Sequence, residues 1–329
     1  MAILRTLFSV VHLAVLLLLS ATILNAYIPP KLFPYFNLLS LAFPFLMLVN
    51  ILLFVFWIFS FRKRALFFIL INLLLIAPAR RWVNYTESKG DSSDFKILTF
   101  NNKVNEYGKE NVEDYVNSFD ADVVFLQEAG YAKLGNPVLK NMDYTFHNPI
   151  ISFYSKYKIK EKGNIPLEGN GDAIFADVEI KGKTIRFINV YLAPFQLHKS
   201  MVKPTSDVDE NEKKAKSLLR KFIPVFKTHQ EQVDVLKDFI QKSPHPVVLA
   251  GDFNSVPNSY EYYKISSVLK DGFIDSGKGF STSFHDYKFP IRIDYVFSSE
   301  SIKAIHYTVD RSRKLSDHYP VIAEFKIRD

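Results

Sequence analysis

The chain has 329 residues, of which 48% are hydrophobic and 23% are charged, enough for one large domain with additional segments. Its formal net charge is +7, but residues 1–81 contain seven basic residues and no acidic residue. The rest of the chain is therefore neutral, so the overall charge does not indicate a nucleic-acid-binding surface. The chain has no cysteine, which excludes disulfides, thiolate catalysis and cysteine-ligated zinc.

Three apolar stretches lie near the N-terminus, at 6–28, 38–61 and 65–79. The first two have the roughly 20 residues needed to cross the hydrocarbon core of a bilayer, and the third is shorter. A cleavable signal peptide is the alternative for the first stretch, and buried core helices are the alternative for the others. Because the later stretches would still need a membrane, residues 1–84 are predicted to form an anchor with three transmembrane helices.

Basic residues beside these stretches bear on the orientation. With three spans, Arg5 and the triplet 62–64 lie on one side, and Lys31, Arg80 and Arg81 lie on the other. With four basic residues against three, the positive-inside rule gives little indication of orientation. With only two spans the count becomes six against one, which would place the C-terminal part in the cytoplasm. The strong apolarity of the third stretch favours three spans. We therefore predict an integral protein of a bacterial-type inner membrane with an extracytoplasmic C-terminal domain.

A polar segment at 85–94 is predicted to be a linker, and strand-length runs rich in Val, Ile, Phe and Tyr recur over 95–329. Helical patterns occur at 111–119, where Asn111 is a candidate N-cap, and at 229–241. Strands that alternate with hairpins and helices predict one α+β sandwich domain.

A charged segment at 196–228 contains eight basic and four acidic residues. One interpretation is a solvated surface loop and helix. The other is a flap that meets an anionic substrate or lipid headgroups, because the segment follows a strand that carries candidate site residues.

Polar side chains stand at the ends of six apolar runs. Each has a plain alternative: Glu128 as a solvated strand end, Asp294 in a salt bridge to Arg292, or His318 as a core histidine. Six such clusters together instead predict a site at one rim of the sandwich. They contain Asn101, Glu128, Tyr191, Asp252 with Asn254, Asp294, and Asp317 with His318.

This set of residue types predicts metal-assisted attack of water on a phosphoester. Carboxylates supply the hard oxygen ligands that Mg²⁺ or Mn²⁺ prefers. A histidine paired with a carboxylate gives an imidazolium that neutralises charge on the reacting phosphate, and an aspartate can take a proton from water. The sequence contains no Walker loop, no HExxH motif and no Ser-His-Asp order.

The motifs LTFNN, FLQE, NVYLAP, GDFNSVP, RIDYVF and SDHYPV occur in this order over about residues 95–329. Together they resemble the endonuclease/exonuclease/phosphatase superfamily. This superfamily includes DNase I-like nucleases, AP endonucleases, neutral sphingomyelinases and inositol polyphosphate 5-phosphatases. The resemblance implies a four-layer α/β sandwich with two packed sheets and a site at one rim.

The resemblance also implies a metal site for Mg²⁺ or Mn²⁺. Glu128 matches the metal-binding glutamate of the superfamily. Asn101 matches the strand-end asparagine that helps to place the metal and the phosphate. Asp317 would be a further ligand of the metal or of its network.

Catalytic roles follow from the same resemblance. Asp252 matches the residue that activates water, and Asn254 matches the residue that orients it. His318 resembles the histidine that contacts the scissile phosphate, with Asp294 as the carboxylate that orients this ring. Tyr191 is expected to contact the substrate phosphate.

Two positions depart from the common pattern. Tyr191 stands where many members have histidine, so a general-acid role proposed for that histidine does not transfer. Lys103 stands where AP endonucleases often have an acidic residue. This departure weakens an AP-endonuclease assignment and removes a possible second metal ligand.

These observations predict a membrane-anchored, divalent-metal-dependent phosphoester hydrolase, either a nuclease or a phospholipid-type phosphodiesterase. Its expected partners are a phosphate-ester substrate (nucleic acid, lipid or inositol phosphate) and the lipid bilayer, with no obligate protein partner. The alternative is a catalytically inactive relative that acts as a membrane-tethered binding protein. The complete set of site residues favours the enzyme.

Overall fold

The N-terminal apolar stretches form helices. The computed structural model describes residues 2–60, 63–86, 92–129, 135–286 and 290–328. The N-terminal helices are α1 Ala2–Ala21, α2 Tyr35–Phe59, α3 Lys63–Leu74 and α4 Ile76–Arg80, with a 3₁₀ helix at Thr22–Ala26 after α1.

Within the described residues, two helical segments are long and apolar enough to cross a membrane, Arg5–Ala26 and Tyr35–Phe59. Signal sequences and core helices of soluble proteins share this length and composition. The third apolar stretch is divided between α3 and α4, and neither helix alone reaches the length of the two candidate spans.

Polar side chains join α1, α2 and α3 inside their bundle. His12 Nε2 lies 2.9 Å from Asn50 Oδ1, and Asn50 Nδ2 donates to Asn72 Oδ1 at 2.6 Å. The His12 ring also stacks on Phe68, with the ring centroids 4.0 Å apart. These contacts pair the middle of α2 with both neighbours, so α3 runs back alongside α2 towards the α1–α2 connection.

The remaining chain forms the alternating strands and helices that its apolar runs predict. In chain order the strands are β1 Val83–Tyr85, β2 Phe95–Asn101, β3 Val123–Gln127, β4 Tyr144–His147, β5 Ile151–Ser155, β6 Ile159–Ile165, β7 Asp172–Ile180, β8 Lys183–Tyr191, β9 Val247–Asp252, β10 Lys270–Asp271, β11 Lys278–Phe280, β12 Asp294–Ser298, β13 Ile302–Val309 and β14 Val321–Ile327. The helices are α5 Lys109–Asn117, α6 Lys199–Val202, α7 Val208–Gln241, α8 Tyr260–Ser266 and α9 Gly272–Ser276, with a 3₁₀ helix at Lys103–Asn105.

Two six-stranded sheets pack face to face. Their strand orders are β10-β12-β9-β8-β7-β6 and β13-β14-β2-β3-β5-β4. Phe95, Phe125 and Phe153 of one sheet meet Phe187 of the other in the core between them. Helices α7 and α8 cover the outer face of the first sheet, and α5 covers the second. This helix–sheet–sheet–helix order confirms the predicted four-layer α/β sandwich.

Two predicted helices begin elsewhere than expected. Helix α5 starts at Lys109, after Gly108 with its φ of +95°, so Asn111 lies inside the helix and the predicted N-cap is wrong. Asn111 instead donates from Nδ2 to the Tyr107 carbonyl. The helix predicted at 229–241 is the end of the much longer α7.

The charged segment 196–228 forms α6, a short connection and the first part of α7. Asp207 caps α7 by accepting hydrogen bonds from the backbone N–H groups of Asp209 and Glu210. Glu210 also pairs with Lys214 one turn later. The segment therefore forms a loop and a helix at the surface.

The N-terminal segment is joined to the sandwich by a small sheet. Strand β1 pairs with β11 in antiparallel register, and buried Asn84 donates from Nδ2 to the carbonyl of Phe273 at 2.8 Å. Of the predicted linker 85–94, residues 87–91 lie outside the described residues.

A buried polar group, here called the interface network, also joins the N-terminal helices to the sandwich. Asn25 Nδ2 and Ser40 Oγ both donate to the Asn258 carbonyl, at 2.9 and 2.7 Å. Asn37 Nδ2 donates to Glu261 Oε2 at 2.9 Å, and Glu261 Oε1 lies 2.9 Å from His229 Nδ1. The network consists of Asn25, Asn37, Ser40, His229, Asn258 and Glu261.

Candidate active site

Three site residues lie in one row across the first sheet. Tyr191 at the end of β8 is opposite Asp252 at the end of β9, and Asp252 is opposite Asp294 at the start of β12. Directly opposite residues of neighbouring strands project from the same face of a sheet. The strand register therefore brings the three polar side chains together, on the face that also carries Ala250 and Val296 of the core.

The second sheet contributes Asn101 at the end of β2 and Glu128 directly after β3. Asn101 Nδ2 donates to Glu128 Oε1 and to Asp252 Oδ2, both at 3.0 Å, so one amide bridges the two sheets. Tyr191 also donates its hydroxyl hydrogen to Glu128 Oε1 at 3.0 Å. The predicted metal and phosphate residues thus form one connected group.

His318, just before β14, completes the group. Its Nδ1 lies 2.8 Å from Asp294 Oδ2, and its Nε2 lies 3.8 Å from Asp252 Oδ2. All three side chains are buried. Arg292 pairs with Asp271 instead, which excludes the alternative of an Asp294–Arg292 salt bridge.

Burial and charge shift two pKa values in this group. Burial and the neighbouring Asp294 carboxylate outweigh the opposing effect of His318 and raise the pKa of Asp252 to about 7. Burial lowers the pKa of His318, but the carboxylates of Asp294 and Asp252 outweigh that effect and raise it to about 10. The site therefore combines a carboxyl group that can exchange a proton near neutral pH with a histidine that stays charged.

Two site residues have left-handed backbone conformations. The φ angle is +52° at Glu128 and +46° at Asn254. Such angles are uncommon for residues with a side chain, and their cost is often tolerated where a side chain must be aimed at a site. Asn254 is held by a bond from its backbone N–H to Asp252 Oδ1 and by one from its Nδ2 to the Leu192 carbonyl.

Asp317 lies at the rim of the group, beside His318. Its carboxylate forms an ion pair with Lys103 Nζ at 3.2 Å, and Lys103 also pairs with Glu106. Lys103, the departure from the AP-endonuclease pattern, thus partly neutralises Asp317.

The donor set fits a divalent cation. Three carboxyl groups meet the single histidine His318: those of Asp252 and Asp294 are buried, and that of Glu128 is half-buried. Asp294 Oδ1 is buried and has no hydrogen-bond partner among the described residues. Carboxylate and amide oxygens are the hard ligands that Mg²⁺ prefers, and an added positive charge would stabilise this arrangement.

A cavity of about 410 Å³ opens over these residues. Glu128, Asp252 and His318 form its polar floor, while its walls are mostly apolar. Leu41 of α2 completes one wall, and no pattern around it in the sequence marked it as a site residue. Apolar residues of the walls include Leu41, Phe195, Phe222, Val256, Phe284 and Ile293.

Comparison with known families decides the assignment. The model of the endonuclease/exonuclease/phosphatase family matches residues 98–318, about two thirds of the chain. The chain belongs to the endonuclease/exonuclease/phosphatase family. Members of this family are phosphoesterases, such as nucleases and phosphatases. A second model, for a domain of unknown function, matches residues 5–82. No curated protein matches the chain.

Several solved structures share the fold of this chain. An endonuclease/exonuclease/phosphatase from Beutenbergia cavernae is 16% identical, with a TM-score of 0.54 over 72% of each chain. TDP2 of D. rerio, complexed with a single-strand DNA product, is 16% identical, with a TM-score of 0.51 over 72% of this chain and all of its own. A functionally unknown conserved protein from Enterococcus faecalis is 14% identical, with a TM-score of 0.51 over 71% of this chain and all of its own. At these identities the likeness concerns the fold alone.

Proposed function

We propose that this protein is a membrane-anchored, divalent-metal-dependent phosphoester hydrolase. The observation that carries the proposal is the bridge from Asn101 to both Glu128 and Asp252, beside the His318–Asp294 pair at the floor of a cavity. This arrangement places an acidic, metal-compatible group next to a charged histidine, in a chain whose family consists of phosphoesterases.

In this proposal Glu128 is the principal ligand for Mg²⁺ or Mn²⁺, and Asp317 is the outermost candidate ligand. Asn101 would join them through Oδ1 on rotation of its amide, because its Nδ2 donates to Glu128 and Asp252 in this structure and an amide NH₂ group does not bind metal. The bound ion supplies positive charge that stabilises the phosphate oxygens. The charged His318 ring, fixed by Asp294, donates a hydrogen bond to a phosphate oxygen from Nε2. Tyr191 contacts the same phosphate from the other end of the row Tyr191–Asp252–Asp294, since His318 lies beside Asp294.

Hydrolysis then needs a base and a positioned water. Asp252 accepts a proton from the water, and Asn254 orients that water. A bond forms between the water oxygen and phosphorus while the ester P–O bond breaks. The leaving oxygen takes a proton from solvent, so the products are an alcohol and a phosphate.

Membrane anchoring is supported by the two candidate spans and by the position of the sandwich. The sandwich bonds to Asn25 and Ser40 near the α1–α2 connection, and also to Arg81 after α4. Both contacts lie at the same end of the helical bundle. If α1 and α2 cross a membrane, the catalytic domain therefore lies opposite Arg5, outside the cytoplasm when the N-terminus is inside.

Protease treatment of spheroplasts tests this orientation. We expect digestion of the catalytic domain in intact spheroplasts. Digestion only after lysis would place the domain in the cytoplasm and contradict the proposed orientation.

The hydrolase activity is tested with purified full-length protein, bis(p-nitrophenyl) phosphate and Mg²⁺. We expect release of p-nitrophenol that EDTA abolishes, and a loss of about 10²-fold or more in His318→Gln. His306→Gln is the matched control, because His306 is exposed on β13 outside the cavity. Equal rates for His318→Gln and wild type would contradict the proposed site. No release by any version would favour an inactive, membrane-tethered binding protein.

A further inference from the structure

We infer that the substrate is amphiphilic: a phosphate ester that carries an alkyl or acyl chain and reaches the cavity along α2. The inference rests on the proposed hydrolase function and names the substrate class of the same site. It follows from the apolar walls of the cavity and from their continuity with a candidate membrane span.

One wall reaches the catalytic histidine. Val256, Phe284 and Ile293 form a buried apolar cluster against which Leu41 of α2 packs. The Phe284 ring lies against His318, with centroids 5.0 Å apart. An apolar group bonded to a phosphate at His318 would therefore contact this wall directly.

The facing wall is aromatic. Phe195, four residues after Tyr191, packs against Phe222 of α7 with ring centroids 4.8 Å apart, and Phe222 stacks on Phe226. Phe195 and Phe222 both line the cavity. Together with the wall that contains Leu41, they form a slot with mostly apolar sides above the polar floor.

An apolar stripe leads from this slot along α2. Phe45, Leu48 and Leu52 follow Leu41 at positions i+4, i+7 and i+11, a spacing that places them on one helix face. Their side chains are 62%, 55% and 62% exposed. In a bilayer this face would contact hydrocarbon, so a lipid chain could remain in an apolar environment from the membrane to the cavity.

The lining of the cavity offers little for a nucleic-acid backbone. Among the described residues that line it, none is lysine or arginine, and Lys103 beside it is already paired with Asp317 and Glu106. Nucleic-acid binding depends strongly on neutralising several backbone phosphates with basic residues. The aromatic walls could stack bases, but the aliphatic side chains of Leu41, Val256 and Ile293 offer no stacking surface and match an alkyl chain.

A series of chromogenic phosphodiesters with alkyl chains of increasing length tests the inference, using the full-length protein in nanodiscs. Methyl, butyl and octyl p-nitrophenyl phosphate share one leaving group and differ only in the alkyl chain. We expect kcat/KM to rise with chain length, by about fourfold for each methylene that enters the cavity. Thymidine 5′-p-nitrophenyl phosphate serves as the nucleotide probe and should be hydrolysed more slowly than the octyl ester.

Two variants test whether α2 is responsible for the dependence of kcat/KM on chain length. Leu41→Asn should lower the octyl-to-methyl ratio of kcat/KM at least fivefold, because the chain then meets a polar wall. Phe45→Asn changes the stripe outside the apolar cluster, so it gives a second measurement if Leu41→Asn does not fold, and it should also lower the ratio. Leu17→Asn is the control, since Leu17 is 63% exposed on α1 and lies outside both slot and stripe.

The outcomes separate the two levels of the proposal. If no ester is hydrolysed, the methyl ester included, the hydrolase function itself fails. If all esters are hydrolysed but kcat/KM does not rise with chain length, or if the thymidine ester is preferred, the hydrolase function stands and the amphiphilic substrate is refuted. An unchanged ratio in both α2 variants would likewise refute the role of the stripe.

Discussion

The protein contains two buried polar networks that differ in how fully their buried carboxylates are bonded. In the interface network, both carboxylate oxygens of Glu261 accept hydrogen bonds and both ring nitrogens of His229 face oxygen atoms, while Asn25 Oδ1 is buried without a partner among the described residues. In the active-site network, Asp294 has one bonded oxygen and one buried oxygen without a partner among the described residues. The active-site network consists of Asn101, Glu128, Tyr191, Asp252, Asp294 and His318.

This difference indicates different roles. A buried carboxylate with both oxygens bonded, such as Glu261, stabilises the contact it spans, whereas one with an unbonded oxygen, such as Asp294, is unfavourable until a ligand supplies the missing interaction. In the same active-site network, burial and, to a lesser extent, the neighbouring Asp294 carboxylate raise the pKa of Asp252. We therefore expect substitutions in the interface network to lower stability, and substitutions in the active-site network to lower activity without lowering stability.

The largest effect is expected for Asp252→Asn. Loss of the base should lower kcat/KM by about 10³-fold. The melting temperature should stay the same or rise, because the substitution removes a buried charge beside Asp294. Kinetics and thermal unfolding of the same preparation measure both effects. Asp238→Asn, on the surface of α7, is the control. A large drop in Tm for Asp252→Asn would contradict the claim that the active-site network does not contribute to stability.

The next effect is expected for Glu261→Leu. This substitution leaves Asn37 and His229 buried without their acceptor, which should cost about 3 kcal/mol of stability. For a domain of this size, that cost corresponds to a fall of about 6 °C or more in Tm. The control is Glu231→Leu, because Glu231 pairs with Lys31 at the surface and should contribute less than about 1 kcal/mol. Equal Tm changes in the two variants would contradict a structural role for Glu261.

A third prediction concerns metal binding. Mg²⁺ at a hundredfold excess over its Kd should stabilise the wild type by about 2.7 kcal/mol. Glu128→Gln should lose most of this gain, since it removes a charged oxygen ligand. Thermal unfolding with Mg²⁺ and with EDTA measures the difference. The same Mg²⁺-dependent rise in Tm in wild type and variant would exclude Glu128 as a ligand.

The smallest effect is expected for Ser40→Ala. The hydroxyl of Ser40 donates to the Asn258 carbonyl and accepts from Asn25, so its loss should cost about 1 kcal/mol. Thermal unfolding should show a fall of about 2 °C, with hydrolysis unchanged. A fall as large as that of Glu261→Leu would show that the interface network acts as one cooperative unit.

Much of the active-site network could be predicted from the sequence, because its residues follow apolar strands in a fixed order of motifs. Asp252 and Asp294 end or begin strands whose hydrophobic runs are clear, and strand register then brings them together. The predicted N-cap at Asn111 failed because Gly108 starts the helix earlier through its positive φ.

The interface network could not be predicted in this way. Asn37 lies more than 200 residues from Glu261, and neither belongs to a motif with a chemical meaning of its own. Leu41 is one of many leucines in an apolar helix, and only tertiary packing selects it as part of the cavity wall. Patterns along the chain give local structure and strand ends, but they do not show which face of an apolar helix meets which surface.

The most direct test of the central claim is Mg²⁺-dependent hydrolysis of octyl p-nitrophenyl phosphate by wild type and Asp252→Asn, with Tm measured on the same samples. We predict hydrolysis by the wild type that EDTA abolishes, about 10³-fold less hydrolysis by the variant, and a Tm for the variant that is not lower. Equal hydrolysis by both proteins, or activity that persists in EDTA, would contradict a metal-dependent phosphoesterase site at these strand ends.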